Sequence, residues 1–191
     1  TNEEFLVEAS INEFIVLPNN DVKIGKVYAL ENKEPIAKFI IQDWNGNTLV
    51  RNIGYFKVQQ EFAYNSDGNQ VRTTTNAGEI SSRIFDYNKR FVTASISNAT
   101  PADVAYTSFE SDNMGGWSFA AFNPIVSGIS GTPTGEKCFL MPYNVPEWLG
   151  SNVTINKDYI LSFWMKNGGS NPIIGGSATL LKSTTVNDWT Y

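Results

Sequence analysis

The segment from Glu61 to Arg90 alternates short strand-forming runs with turn signals, and this alternation limits the fold more than any other feature of the chain. The runs and turns follow in the order Glu61–Tyr64, Asn65–Asn69, Gln70–Thr75, Asn76–Gly78, Glu79–Phe85 and Asp86–Asn88. Asn and Gly accept the left-handed backbone of tight turns, while β-branched and aromatic side chains suit a half-buried pleated surface. We therefore expect antiparallel hairpins over residues 40–100, with Gly46, Gly68 and Gly78 at turns.

The residues before this segment also favour strands. Glu13–Leu17 is apolar and β-branched, and Pro18-Asn-Asn-Asp21 ends it. The run Val22–Leu30 changes the phase of its apolar positions across Gly25, which is typical of a β-bulge. Ile36–Gln42 predicts another strand. Because no window shows a sustained helical period with caps, the sequence predicts an all-β fold.

Short motifs recur along the first half of the chain. Gly46-Asn47 returns as Gly68-Asn69, and Tyr64-Asn65 returns as Tyr87-Asn88 at a similar spacing. A fixed period is the signature of a repeat array, in which each unit buries its apolar face only against its neighbours. Ordinary hairpins with Asn-Gly turns explain the same residues, so both interpretations stay open.

The recurring pattern resembles the YD repeat of the bacterial rearrangement-hotspot (Rhs) family. The matching residues are Tyr64-Asn65, Gly68-Asn69, Gly78 and Phe85-Asp86-Tyr87. Asn65 stands where the family usually has Asp, and Asn88-Lys-Arg90 lacks a turn glycine. The resemblance covers roughly residues 40 to 106. It implies the C-terminal part of an array whose hairpin units spiral into a long antiparallel sheet, because each unit leaves an edge that the next one pairs.

A polar segment with one proline, Asn98–Asp103, is the candidate domain boundary between region 1–100 and region 104–191. The second region resembles the opening of a galactose-binding-like β-sandwich, a jelly roll of the kind found in carbohydrate-binding modules. The resemblance rests on Phe109-Glu110, Gly116-Trp117, Gly135–Met141, Tyr159–Lys166 and Asp188–Tyr191. Alternate residues of Tyr159–Lys166 form an apolar face, which predicts a strand with that face in a core. The chain stops short of a full jelly roll, so we expect a partial, truncated sandwich.

The charge of the chain argues against two classes of partner. The net charge is −5 and the isoelectric point is about 4.8, without a run of Lys or Arg. Nucleic-acid binding and attraction to an anionic membrane both need a basic surface, so neither is expected. No stretch approaches the roughly 20 apolar residues of a membrane span, so we expect no membrane insertion.

The sequence offers few groups for catalysis. Histidine is absent, which removes the usual proton shuttle and the commonest zinc ligand. The single cysteine, Cys138, lies in the apolar run Cys-Phe-Leu-Met, which favours a buried inert thiol over a nucleophile. No nucleophile elbow, phosphate loop or dinucleotide fingerprint occurs. We therefore expect no enzyme and no cofactor apart from the metal considered next.

Two candidate sites remain, and both follow from the second resemblance. Related modules bind a structural calcium ion near the position of Glu110 and Asp112; otherwise these carboxylates are solvated turn residues. Trp148 and Tyr143 lie in the loop-like run Pro142–Gly150 and are the candidates for a carbohydrate platform, because an aromatic face stacks on a pyranose. The alternative for both aromatic residues is a role in the core or in its support.

Together the resemblances imply a non-catalytic piece of a large secreted or cell-surface bacterial protein of the Rhs and YD-repeat type. Such a piece is a scaffold for adhesion, motility or toxin delivery, exported by type IX secretion. Its partners are then the rest of its own repeat array, surface glycans or the secretion machinery. The alternative function is a carbohydrate-binding module that uses exposed aromatic side chains.

Overall fold

A computed structural model describes residues 5–37, 44–45, 48–49, 55–111, 113–119, 125–127, 129, 131–140, 149–151, 154, 156–166 and 177–191. The chain forms two compact units, Thr1–Val104 and Ala105–Tyr191, called unit 1 and unit 2 below. The boundary predicted at Asn98–Asp103 lies just before the division between these units.

The described part of unit 1 is built from antiparallel strands. They are β1 Phe5–Leu6, β2 Ser10–Val16, β3 Val22–Leu30, β4 Ile36–Ala37, β5 Trp44–Asn45, β6 Thr48–Leu49, β7 Phe56–Tyr64, β8 Gln70–Thr75, β9 Ile80–Asp86 and β10 Phe91–Ser97. Six of these strands form one sheet in the order β10-β9-β8-β7-β3-β2. Two short pairs, β1 with β4 and β5 with β6, lie outside that sheet. A turn of 3₁₀ helix, Pro101–Asp103, follows β10.

Three hairpin loops of this sheet share one geometry, and it explains their sequences. In each loop a backbone N–H donates to the carbonyl three residues earlier. The pairs are Asn20 to Leu17 (2.9 Å), Gly68 to Asn65 (3.1 Å) and Gly78 to Thr75 (3.0 Å). The donor residue has a left-handed backbone in every case, with φ of 65°, 81° and 82°. This is a three-residue hairpin loop, a type I turn followed by a left-handed residue. The predicted turns at Gly68 and Gly78 are confirmed, whereas Gly46 lies outside the described residues.

The loop between β9 and β10 has no glycine, yet it closes a hairpin. Tyr87, Asn88 and Lys89 all have positive φ, at 53°, 57° and 61°. The Asp86 carboxylate accepts the Tyr87 N–H at 2.7 Å, much as Asn65 Oδ1 accepts the Asp67 N–H at 3.1 Å in the preceding hairpin. Both loops therefore begin with a side-chain oxygen that accepts a backbone N–H, although their backbone conformations differ.

The predicted bulge at Gly25 is confirmed. Glu13 pairs with Lys26 and Phe14 pairs with Ile24, so Gly25 is the extra residue on β3. A Cβ atom on Gly25 would lie 2.7 Å from Ile15 Cγ2, so this position has no space for a side chain. The β3–β7, β7–β8 and β9–β10 pairs carry further register shifts. Each of these bulges increases the local right-handed twist of its strand pair.

The core of unit 1 is small. Its buried side chains among the described residues are Leu17, Tyr28, Phe56 and Ser82. Tyr28 is 2% exposed, and its hydroxyl donates to Glu13 Oε2 at 2.7 Å. Ser82 is 1% exposed and donates to the Ala99 carbonyl at 2.5 Å. This bond places the chain segment after β10 against the Ser82 face of the sheet.

The described part of unit 2 consists of short antiparallel strands. They are β11 Ser118–Phe119, β12 Ile125–Ser127, β13 Lys137–Phe139, β14 Leu149–Gly150, β15 Met165–Lys166, β16 Thr185–Val186 and β17 Trp189–Thr190. β11 pairs with β14, β12 pairs with β13, and β17 lies between β15 and β16. These small sheets are consistent with a partial β-sandwich. With the sheet of unit 1, they confirm the all-β prediction.

The long strand predicted over Tyr159–Lys166 is wrong, because only its last two residues form β15. The side chains expected in a core are exposed instead, with Leu161 at 47% and Phe163 at 41%. The physical reason is pairing: within the described residues β17 reaches only Met165 and Lys166, so the preceding residues have no neighbouring strand. Trp189 on β17, in contrast, is buried.

Candidate functional site

The two edges of the six-stranded sheet form the main candidate site. β2 and β10 are the outer strands, and each pairs on one side only within the described part of the chain. The outer side of an edge strand presents backbone N–H and C=O groups that are a template for another strand. The edge strands can therefore form backbone hydrogen bonds to an additional extended chain, whereas the central strands cannot.

Neither edge strand carries a lysine or a proline, although β10 has a bulge at Thr93 and β2 has the half-buried Glu13. Lysine, proline and inward-pointing charges normally discourage edge pairing. The strands Ser10–Val16 and Phe91–Ser97 contain no Lys, Arg or Pro. Their single charged residue, Glu13, is half-buried and accepts the bond from Tyr28.

Apolar side chains are exposed along both edges. On β2, Phe14 is 60% exposed and Val16 is 70% exposed. On β10, Phe91 is 64% exposed and Val92 is 48% exposed. Cross-strand contacts between such side chains stabilise antiparallel pairs by about 0.2–1 kcal/mol each. Both edges therefore present apolar side chains as well as backbone groups to a neighbouring strand.

The directions of the edge strands are complementary. Every neighbouring pair in this sheet is antiparallel, and the sheet has six strands. β2 and β10 therefore run in opposite directions. A second sheet of the same kind, placed beside the first by translation, would present its β2 antiparallel to β10. Head-to-tail addition thus continues the existing hydrogen-bonding pattern.

Contacts between successive loops hold this sheet in register at one end. The Lys89 ammonium lies 2.8 Å from Asp67 Oδ2, and Asn69 Nδ2 donates to the Lys89 carbonyl at 2.7 Å. These contacts join the β7–β8 loop to the β9–β10 loop. On the other side, Gly68 lies against Asp21 in the β2–β3 loop. Each hairpin of the sheet is thus linked to the next through its loop as well as through its strands.

Glu110, the described residue of the predicted metal site, fastens a turn of unit 2. Its Oε1 atom accepts the backbone N–H groups of Glu136 and Lys137, both at 2.7 Å, and Lys137 Nζ donates to the Glu110 carbonyl at 3.0 Å. Gly135 approaches the carboxylate so closely that a Cβ there would lie 2.3 Å from Oε1. This arrangement supports a structural role for the carboxylate.

The other predicted site residues, Asp112, Tyr143 and Trp148, lie outside the described residues. The calcium site and the carbohydrate platform therefore stay predictions. The described residues contain no group of three or more His, Cys, Asp or Glu side chains able to hold a metal ion.

Cys138 lies on β13 and is half-buried. Burial raises the pKa of its thiol, and the nearby positive charge of Lys166 opposes that shift. A raised pKa means that less of the thiol is ionised near neutral pH, and the thiolate is the nucleophilic form. This environment disfavours reactivity.

Two parts of the candidate site were not recognised in the sequence. The loop at Pro18–Asp21 was interpreted only as the end of a strand, although Asn20 takes the same left-handed position as Gly68 and Gly78. Asparagine is the residue other than glycine that most readily adopts this backbone, and that signal was present. The identity of the edge strands depends on which strands pair, and local sequence carries no direct signal of it.

Comparisons with protein-family models, with curated proteins and with solved structures gave no significant match. In the part of the chain that the structure describes, no helix has the length and apolar character needed to cross a membrane.

Proposed function

We propose that unit 1 is a non-catalytic scaffold whose sheet is extended by hairpins of the same kind. The observation that carries this proposal is the pair of oppositely directed edge strands β2 and β10, which lack lysine and proline and expose apolar side chains. In a free-standing domain, an exposed edge of this type promotes aggregation. In a repeat array, the next hairpin pairs with the edge and satisfies its backbone hydrogen bonds.

The loops support the same function. Three of the hairpin loops share one geometry, and the loops at one end of the sheet, β2–β3, β7–β8 and β9–β10, contact each other in succession, which is how added hairpins would join the sheet. The small core supports it as well, since a unit that buries few side chains alone gains stability from its neighbours.

The resemblance to the YD repeat extends the proposal to the cellular setting. It assigns the scaffold to a secreted or cell-surface protein that serves adhesion, motility or toxin delivery, with type IX secretion as the route. The paired hairpins then belong to the repeat array of the same protein. The support for this part is the set of matching residues Tyr64-Asn65, Gly68-Asn69, Gly78 and Phe85-Asp86.

Lysine substitutions at the two edges test the scaffold function. Val92→Lys places a charge on β10, and Val16→Lys places one on β2, where both valines are exposed. Val186→Lys is the matched control, because this valine is 51% exposed and belongs to unit 2. Thermal melts of all variants establish that each still folds. Self-association is then measured by sedimentation velocity over a range of concentrations.

We expect the average mass of the unmodified chain to rise with concentration without reaching a plateau, since head-to-tail pairing is open-ended. Either edge variant should shift that rise to at least tenfold higher concentration, whereas the control should follow the unmodified chain. An unmodified chain that stays monomeric at its highest soluble concentration would overturn the proposal. Equal association of all three variants would also overturn it.

A further inference from the structure

A groove with both polar and apolar walls lies on the sheet of unit 1, away from the loops that link the hairpins. Its volume is about 280 Å³, close to the lower limit of about 300 Å³ for pockets that bind small ligands. The lining residues are Thr73, Thr75, Glu79, Ile80, Ser81, Ser97 and Asn98. All but one of these residues carry a polar side chain, which is unusual because small-molecule pockets are mostly apolar.

The register of the sheet explains how the hydroxyl groups come together. Thr73 on β8 lies directly opposite Ser81 on β9, and Ser81 lies directly opposite Ser97 on β10. Directly paired residues point to the same face, so three neighbouring strands contribute one row of hydroxyl groups. On β7 the row continues to Phe62, which is paired with Thr73 and is half-buried. Ser82, the next residue after Ser81, points to the opposite face, which the segment after β10 covers.

Several polar groups of the groove are free to bind a ligand. Within the described part of the chain, the side chains of Glu79, Ser81, Ser97 and Asn98 have no hydrogen-bond or ionic partner. Gln70 Nε2 donates to the Thr73 hydroxyl at 2.7 Å, which fixes that hydroxyl as an acceptor and leaves its proton available. The groove thus offers hydroxyl donors, an amide that both donates and accepts, and a carboxylate that accepts.

We propose that this groove binds a neutral sugar residue of a glycan. A hexose carries several hydroxyl groups that both donate and accept, which matches the mixed donors and acceptors of Ser81, Ser97 and Asn98. The Glu79 carboxylate accepts bonds from two neighbouring sugar hydroxyls, since it has two oxygens. The apolar part of the lining is supplied by Ile80 and by the methyl groups of Thr73 and Thr75.

Other ligand classes fit the groove less well. Phosphate and carboxylate ligands need cations, and no Lys or Arg lines the groove; Arg83 lies two residues further along β9 and is outside it. A calcium ion takes six to eight oxygen ligands and prefers several carboxylates, whereas Glu79 is the single carboxylate of the lining. An extended peptide would pair with an edge of the sheet, and this groove lies on a face.

Titration with methyl β-D-glucopyranoside and methyl α-D-mannopyranoside, followed by the amide resonances of the ¹⁵N-labelled chain, tests the proposal. We expect saturable shifts at Ile80, Ser81 and Ser97, with dissociation constants on the order of 1 mM for at least one of the two sugars.

The double change Ser81→Ala with Ser97→Ala should weaken binding at least tenfold. Glu79→Gln should weaken it severalfold, because the neutral amide accepts more weakly than the carboxylate. Ser95→Ala is the control, since Ser95 is on the same strand as Ser97 and outside the groove.

Three outcomes would overturn the proposal. The first is the absence of saturable shifts with both sugars, and the second is equal binding by the double variant and the Ser95→Ala control. The third is tighter binding of inorganic phosphate or glucuronic acid than of the neutral sugars.

The titration monitors a groove on a face of the sheet and is run below the concentration at which the chain self-associates. Because Ser97 lies on the edge strand β10, a shift at Ser97 counts as sugar binding only when Ser81 on the inner strand β9 shifts with it; either proposal can then fail while the other stands.

Discussion

Gly68 in the β7–β8 loop lies against Asp21 in the β2–β3 loop, and a Cβ atom on Gly68 would come within 3.0 Å of Asp21 Oδ2. Gly78, in the loop at the other end of β8, has nearly the same φ but no atom within 4 Å of a Cβ position. The two glycines therefore share a backbone requirement and differ in whether another loop packs against them.

Alanine substitutions at these two glycines separate backbone strain from loop packing. Gly78→Ala should lower the free energy of unfolding by about 1 kcal/mol, because alanine in a left-handed conformation is strained. Gly68→Ala should cost about 0.5 kcal/mol more, because the new Cβ also displaces the exposed Asp21 carboxylate from its position against the loop. Urea unfolding measures both values. Equal losses at the two positions would mean that the loops do not pack against each other.

Gly25→Ala tests the bulge of β3. Its φ is not left-handed, so strain plays no part, and the added Cβ meets Ile15 Cγ2 at 2.7 Å. We expect a loss of about 1–3 kcal/mol from overpacking. In an Ile15→Ala background, which lacks Cγ2, Gly25→Ala should cost less than it does in the unmodified chain, so part of that loss is recovered. Urea unfolding without any such recovery would contradict the assignment of the cost to Ile15.

Tyr64 connects β7 to the region of the bulge, because its hydroxyl donates to the Ile24 carbonyl at 2.8 Å. Tyr64→Phe should lower the free energy of unfolding by about 1 kcal/mol at neutral pH. Tyr87→Phe, which alters a 46% exposed ring, should leave stability nearly unchanged. Urea unfolding of both variants at pH 7 measures the comparison.

The same bond has a defined pH dependence. Burial raises the pKa of Tyr64, so the folded state keeps the phenolic proton at a pH where the unfolded chain loses it. The stabilisation is complete below the ordinary tyrosine value of about 10 and is lost as pH rises through the raised folded value. The difference between the unmodified chain and Tyr64→Phe should therefore shrink above about pH 10. A difference that grows with pH would contradict this sign.

Glu110→Ala tests whether the carboxylate fastens the Gly135–Lys137 turn. Loss of an acceptor for two N–H groups should lower the free energy of unfolding of unit 2 by about 2 kcal/mol in calcium-free buffer. Glu136→Ala is the control, because that side chain is exposed. Calcium added to the unmodified chain addresses the metal prediction separately. A stability of Glu110→Ala equal to that of the control would refute the structural role.

The sequence predicted features that depend on nearest neighbours along the chain. The strand Gln70–Thr75 agrees with β8 at both ends, and the phase shift across Gly25 correctly located a bulge. Both signals come from local chemistry, since turn residues set φ and alternation sets the face of a strand.

Features that depend on distant pairing were not predicted. β3 pairs with β7 across an intervening segment, and Glu110 binds the amides of Glu136 and Lys137. Apolar residues do alternate along Tyr159–Lys166. A strand also needs a neighbouring strand to pair with, and the alternation does not show whether one is present. The candidate groove likewise depends on the register of three strands, which brings Thr73, Ser81 and Ser97 into one row.

Mixing the two edge variants tests the central claim, head-to-tail extension of the sheet, most directly. The Val92→Lys variant has an unmodified β2, and the Val16→Lys variant has an unmodified β10. In an equimolar mixture, β2 of the first variant can therefore pair with β10 of the second. At a concentration at which the unmodified chain associates but neither edge variant is expected to, sedimentation velocity should show each variant alone as a monomer and the mixture as a complex that stops at one copy of each. A mixture that remains monomeric, or a single variant that dimerises alone, would contradict head-to-tail pairing of β2 with β10.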